Sequence, residues 1–245
     1  MDDSISVYMQ VYNHKRATLE ALRSFRHFYR TEPVTVLSDD GEDFASICEA
    51  ANARYIHAST RTRQGPHHGA GMGLDGVLEY LRRIYEHCIS VDSDWVVLFD
   101  EDVRTLRRIR TFPCTDAAGP RMNPYSPALT QRLVKEFGLK PYGYGLCGGA
   151  IWRRQSYIKA YETNRSISQY VRYDNRLDQW SDLPLTLLFQ INGYTFSIWS
   201  EVSELTHPHS PIVRDSAFDH AYKHWYDKPL DGSSLRELAC LTGRA

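Results

Sequence analysis

The chain has no stretch of roughly 18 continuous apolar residues, so no segment reads as a membrane-spanning helix. Its five cysteines, Cys48, Cys88, Cys114, Cys147 and Cys240, form no C-x-x-C pair and stand far apart. That argues against a structural zinc site and against a disulfide framework, and points to a reducing compartment. No G-x-x-x-x-G-K-[ST] phosphate loop occurs, which excludes a Walker-type nucleotide site. Neither sign of charge dominates: 29 Lys and Arg against 30 Asp and Glu leave a net charge of −1. No overall basic field therefore recruits nucleic acid or an anionic membrane, and any anionic ligand must be met by local groups. No basic leader precedes the first apolar strand. The expectation is a soluble, cytoplasmic protein, with peripheral membrane contact left open.

What is present has the rhythm of an α/β domain, and 245 residues suit one such domain with a substantial core. Ile5 to Tyr12 is rich in β-formers, and Arg16 to Phe28 places Leu19, Leu22 and Phe25 at helical spacing. Val34 to Leu37 reads as a strand, Phe44 to Ala53 as a helix, Arg54 to Ala58 as a strand and Gly73 to Cys88 as a longer helix. The apolar strand Trp95 to Phe99 follows. Repeated β-α units of this kind predict a Rossmann-like, doubly wound and mostly parallel sheet. From Arg104 to Pro141 basic residues and prolines dominate, loop-rich ground for a substrate pocket, with a short helix at Ala128 to Phe137. Regular structure is expected again at Leu146 to Trp152, Ser156 to Tyr161, Asp182 to Gln190 and Tyr194 to Trp199. The stretch from Lys228 lacks strong periodicity and reads as a mobile tail, residues 228–245.

The most informative feature is positional. The strand Trp95 to Phe99 ends in Asp100-Glu101-Asp102, and in an open α/β sheet ligands collect at the carboxyl ends of strands. Acids there suit a divalent cation and a phosphorylated ligand. A second D-x-D, Asp92-Ser93-Asp94, precedes the strand and reads as a solvated connection. Along a strand Glu101 would point away from its two neighbours, as a structural salt-bridged acid or as a ligand contact. Asp39 and Asp40 end a neighbouring strand at the same edge, where they either accept hydrogen bonds from a base or ribose or close an Asx turn at Gly41. Tyr12 and Asn13 end the first strand and could floor or edge a base, with Tyr12 equally a core aromatic. The segment Arg61 to Gly73 is rich in glycine and cationic groups and opens a helix. Arg63 and its backbone donors suit a pyrophosphate, the alternative being a plain surface loop. Tyr142, Tyr144, Trp152 and Trp180 could stack on a sugar, although most aromatics are buried for packing.

In their order these segments resemble inverting, family-2-like glycosyltransferases of the GT-A fold. Val7 to Phe25, containing Val11-Tyr12-Asn13, looks like the family's opening strand and helix. Val36-Leu37-Ser38-Asp39-Asp40-Gly41 is similar to its second-strand V-D-D-G-S signature, and Asp100-Glu101-Asp102 resembles its metal-binding D-x-D. Gly148-Gly149-Ala150 matches the small-residue segment beneath the acceptor site. Ser181-Asp182, followed by a helix and Gly193-Tyr194, resembles the E-D element that supplies the base. The resemblance implies single-domain, metal-dependent transfer of one sugar from a nucleoside-diphosphate sugar, a UDP-sugar being favoured, to a hydroxyl of a glycan or other acceptor, with inversion. It divides the chain into a nucleotide-sugar half (1–103) and an acceptor-binding and catalytic half (104–227).

The resemblance also assigns roles. Asp102 is the direct ligand of Mn²⁺ or Mg²⁺, and Asp100 lies nearer the ribose or reaches the metal through water. Gly149 lies at the acceptor, Asp182 is the general base, and a downstream histidine, His207 or His209, completes the metal shell. Ser181 stands where the family has Glu, leaving Asp182 the only acid of that element. No Q-x-x-R-W-type element follows Gly193, which favours single-sugar transfer over polymer synthesis. The chemistry fits these residue types, because a hard cation held by carboxylates neutralises the charge that grows on a departing diphosphate. Asp182 also opens an apolar helix with Pro184 close behind, so an N-cap role is compatible with a base at a pocket rim. His220 and His224, at i, i+4 spacing but without the H-E of a zinc-protease helix, read as surface residues. Two other classes compete. A sugar-nucleotide-forming nucleotidyltransferase would need a Gly-rich N-terminal phosphate loop, which is absent. A non-catalytic sugar- or nucleotide-binding module would be favoured by a buried Asp182 or by an Asp102 remote from the ligand.

Overall fold

Strands β1 (Ile5–Val11) and β2 (Val34–Asp39) are buried at every position, as expected of parallel strands covered on both faces. The computed structural model describes residues 3–62, 73–163, 166–204, 213–220, 223–226 and 228–244. Helix α1 (Lys15–Phe28) joins those two strands, and α2 (Ala45–Ala50), β3 (Arg54–Ala58), α3 (Gly73–Ser90) and β4 (Trp95–Phe99) follow in the expected alternation. The second half is less regular: β5 (Arg104–Thr105), β6 (Ala117–Gly119), α4 (Pro127–Phe137), β7 (Ile151–Arg153), α5 (Arg154–Glu162) and two 3-10 segments, Ile167–Tyr173 and Asn175–Asp178. Helix α6 (Asp182–Ile191), β8 (Phe196–Ile198), β9 (Val202–Glu204), β10 (Phe218–His220), a third 3-10 segment (Lys223–Trp225) and α7 (Gly232–Thr242) complete it.

The central sheet has the order β3-β2-β1-β4-β7-β6-β8. Pairings from β3 to β4 and between β6 and β8 are parallel, and those on either side of β7 are antiparallel. A second sheet, β5-β10-β9, stands beside it. Strand alternation sorts the core into two layers. Tyr8, Leu37, Val96 and Leu98 pack with α3, α5 and α6. Val7, Met9, Val36, Val97 and Phe99 pack on the other face with α1, α2 and Leu238 of α7. The result is a single α/β domain with a mostly parallel, doubly wound sheet, as the sequence predicts. Among the described residues no helix is long and apolar enough to cross a membrane.

The carboxyl end of the chain corrects the expectation of a mobile tail. Residues 232–242 form α7, which packs on α1 and α2. Asp231 caps it by accepting from Ser234 N at 2.8 Å, and Thr242 Oγ1 donates to the Ala50 carbonyl at 2.8 Å. Only Ser234 and Leu238 of this helix are buried, so its apolar stripe is too narrow to show as periodicity.

Candidate functional site

Parallel register brings the ends of β1, β2 and β4 to one edge, since Met9 pairs with Phe99 and Val11 with Ser38. Tyr12, Asp39, Asp40 and the acids after Phe99 therefore share that edge. Strand β4 stops at Phe99, and Asp100-Glu101-Asp102 occupy a turn closed by Val103 N donating to the Asp100 carbonyl at 3.1 Å. The Glu101 carboxylate accepts from Tyr12 N at 3.4 Å.

Asp100 and Asp102 converge on a histidine that the sequence reading placed on the surface. His220 ends β10, a strand and not the anticipated helix face, and is only 8% exposed. Its Nε2 lies 3.6 Å from Asp100 Oδ2 and 3.6 Å from Asp102 Oδ1. The three ligand atoms all stand within 4.8 Å of one another. Gly148 keeps this space open. A Cβ there would meet His220 Nε2 at 2.7 Å and Asp100 Oδ2 at 2.9 Å. Two carboxylate oxygens and an imidazole nitrogen around a cradle that a methyl group would fill are a fitting donor set for a divalent cation.

Behind His220 a chain of buried polar groups continues. Its Nδ1 lies 3.1 Å from Glu204 Oε1, and Glu204 Oε2 accepts from Arg121 Nη1 at 2.9 Å. Arg121 Nη2 reaches Asp182 Oδ2 at 3.4 Å. Burial alone would lower the pKa of His220, but contacts with Cys147, Asp100 and Glu204 outweigh it and hold the value well above the ordinary histidine range. Burial pushes the Asp182 carboxyl up in spite of Arg121. Asp182 is the first residue of α6, with Ser181 at the cap position, and is 5% exposed. It is therefore not the N-cap, and it does not stand open at a rim.

At the other side of the edge, Asp39 is buried at the end of β2. Its Oδ1 accepts from Thr62 N at 2.8 Å, Thr62 Oγ1 at 3.2 Å and Arg83 Nη1 at 2.7 Å. This buried pair ties β2 to α3 and to the segment before residue 63. Asp40 is exposed in the left-handed region (φ 55°). A Cβ on Gly41 would sit 1.8 Å from the Tyr12 carbonyl oxygen, so only glycine lets the two strand ends meet. Tyr12 is half-buried, with the Arg61 guanidinium 4.0 Å from its ring centroid, and Asn13 is exposed.

The acceptor candidates separate. Trp180, two residues before Asp182, is 44% exposed. Tyr144 is buried, with Arg176 5.6 Å from its ring. Gly149 faces Val202, where a Cβ would approach Val202 Cγ2 to 2.6 Å, so of the glycine pair it is Gly148 that borders the acid–histidine cradle. Trp152 is fully buried in the core, while Tyr142 packs at its margin. Arg63, His207 and His209 lie outside the described residues. A cavity of about 930 Å³ between α1 and α7 reaches Glu101 and Asp102 at one end.

No protein-family model matches the sequence, and no curated protein matches it. Solved structures do. The galactosyltransferase LgtC, in complex with donor and acceptor sugar analogs, is 13% identical over 97% of this chain and 95% of that chain, with a TM-score of 0.52. An active-site mutant of LgtC is 12% identical with the same coverage and a TM-score of 0.50. S. aureus TarS, at 14% identity over 80% of this chain and 37% of that chain, reaches a TM-score of only 0.42 and carries no weight here. The LgtC likeness spans nearly the whole of both chains and shows the fold: it is the GT-A fold of glycosyltransferases.

Proposed function

We propose that this chain is a metal-dependent glycosyltransferase that moves one sugar from a nucleoside-diphosphate sugar, a UDP-sugar first, to an acceptor hydroxyl with inversion. The observation that carries the reading is the Asp100–Asp102–His220 cradle at the end of the central strand β4. Mn²⁺ suits its mixed oxygen and nitrogen donors better than Mg²⁺. When bound, such a cation neutralises the charge that develops on a departing diphosphate. The fold agrees, since LgtC was solved with donor and acceptor sugar analogs.

The remaining roles follow from position. Tyr12, Asn13 and Asp40 border the space for a nucleoside, and Arg61 over Tyr12 adds a cation facing the diphosphate. Asp39 works from behind, holding residues 60–62 through Thr62 and Arg83. Glu101 fixes the turn that aims the acids. Asp182, made more basic by burial, takes the proton of the acceptor hydroxyl as that oxygen attacks the anomeric carbon. Trp180 offers an indole face beside it for an acceptor sugar.

Asp182's burial favours one other reading, a sugar- or nucleotide-binding module without catalysis. Calorimetric titration of UDP, with GDP as control, with and without Mn²⁺, tests the donor site. Binding that needs Mn²⁺ and is lost in Asp102→Ala supports it, and failure of both nucleotides under every metal condition refutes it. Metal-dependent hydrolysis or transfer of a UDP-sugar then separates the enzyme from the module.

A further inference from the structure

We propose a second metal site, for Zn²⁺ or another thiophilic cation, formed by Cys147 Sγ, Glu204 Oε1 and His220 Nδ1 directly behind the donor cradle and competing with it for His220. The site stands on its own geometry, and its effect on donor binding rests on the function proposed above.

Glu204 and His220 are register partners at the ends of the paired strands β9 and β10, and Cys147 comes from the turn before Gly148. All three side chains are buried and held by the backbone of different elements. Cys147 Sγ lies 3.7 Å from Glu204 Oε2 and 3.9 Å from His220 Nδ1, and Glu204 Oε1 lies 3.1 Å from that nitrogen. Ligands on a tetrahedral zinc, at about 2.3 Å for sulfur and about 2.0–2.2 Å for nitrogen or oxygen, stand about 3.3–3.6 Å from one another. With one carboxylate oxygen of Glu204, the three ligand atoms all lie within 4.8 Å of one another, a grouping that small side-chain shifts bring onto one face of such a tetrahedron, with the fourth position left for water. A thiolate in the set selects zinc over the hard cations that the two aspartates suit. Zinc would take the thiolate pair of Cys147, one carboxylate oxygen and the Nδ1 lone pair, releasing to solvent the thiol proton and the extra proton of the imidazolium. Arg121 remains on Glu204 Oε2 and orients the carboxylate from outside.

The competition follows from the imidazole. A neutral ring has one lone pair to give, at Nδ1 or at Nε2. With Nδ1–H donated to Glu204, the Nε2 lone pair faces Asp100 and Asp102, which is the form the donor cradle needs. Zinc on Nδ1 moves the ring proton to Nε2 and turns a ligand of the donor metal into a donor group pointing at it.

Cobalt reads the site without any turnover. Co²⁺ added to the full chain should give a thiolate-to-cobalt charge-transfer band that Zn²⁺ displaces, that is lost in Cys147→Ser and Cys147→Ala, and that persists in Asp102→Asn. Absence of the band in the wild type, or its persistence in the Cys147 variants, overturns the site. In the second arm, equimolar Zn²⁺ should weaken Mn²⁺-supported UDP binding at least about tenfold in the wild type, the scale on which even an outer partner of a ligand counts, and leave Cys147→Ser unaffected. Equal sensitivity of the two proteins overturns the competition. A cobalt band without any UDP binding would uphold this site and refute the donor reading, so the two fail separately.

Discussion

Replacing Gly148 by alanine tests the donor cradle with a single methyl group. The backbone there is not in the left-handed region, so alanine adds no conformational strain of its own. The added Cβ would lie 2.5 Å from His220 Cδ2, 2.7 Å from His220 Nε2 and 2.9 Å from Asp100 Oδ2. Ordinary contact begins at about 3.5 Å, so the ring and the carboxylate must each retreat by roughly half an ångström or more. Metal sites tolerate ligand displacements of only about 0.2 Å. The imidazole has little room to yield, because Glu204 holds its far side at 3.1 Å. Mn²⁺ affinity should therefore fall by about 10–100-fold, as when a supporting partner of a ligand is lost, and UDP binding should fall with it. Overpacking should cost about 1–3 kcal/mol of stability, and each kcal/mol lowers Tm by about 2–4 °C in a domain of this size. Calorimetric Mn²⁺ and UDP titrations beside a thermal melt read both effects. A folded Gly148→Ala protein that binds Mn²⁺ like the wild type would refute the assignment of Asp100, Asp102 and His220 to one ion.

The other expectations concern the surroundings of that cradle. Arg83→Met breaks the buried ion pair with Asp39 and should destabilise the fold by about 3–5 kcal/mol; a melt shifted by less than a degree would contradict the pairing. If Asp182 is the base, its carboxylate must be ionised, and its raised pKa means that activity is lost as pH falls through a value above the usual aspartate range. Asp182→Asn should lower kcat by about 10²–10⁴-fold and abolish that acid limb, and a pH profile with the limb intact would remove Asp182 from the role. Trp180→Ala should raise the acceptor KM while Mn²⁺-supported UDP binding is unchanged, and a loss of UDP binding instead would place the indole on the donor side. Asp231→Ala removes both the α7 cap and a partner of Arg16, and should cost about 0.5–2 kcal/mol in a denaturant melt.

How far the sequence could be read depended on the range of each interaction. Strand β4 is a continuous apolar run and β1 and β2 are rich in β-formers, as suits strands buried on both faces, and such runs are visible one residue at a time. The same holds for the aspartates after β4, whose meaning comes from the strand just before them. Asp39 shows the limit. Its position at a strand end was legible, but its partner Arg83 lies 44 residues further on, on α3, and no local pattern announces that meeting. His220 was missed for a related reason. Its strand has three residues and exists because β9 and β5 flank it, while the spacing to His224 imitates a helix face. A faint signal was present in Phe218-Asp219-His220, one apolar residue followed by two polar ones, and it is too short to outweigh the helical spacing.

The polar chain behind the cradle explains why the two halves of the proposed reaction would sit in one rigid frame. Asp182, on α6, is held by Arg121, Arg121 holds Glu204 at the end of β9, and Glu204 holds the imidazole that faces Asp100 and Asp102. Each link joins an acid to a cation or a donor, so burial of the set is compensated only while every member is present. Arg121 is the one member that touches both the base candidate and the residue that orients the histidine. Its guanidinium presents a rigid planar fork, and lysine, a single point charge, could not span Glu204 and Asp182 at 2.9 and 3.4 Å with the same geometry. Asp182 and the acid–histidine cradle are thus linked through one side chain from the loop after β6, a region whose sequence shows only scattered basic residues and prolines.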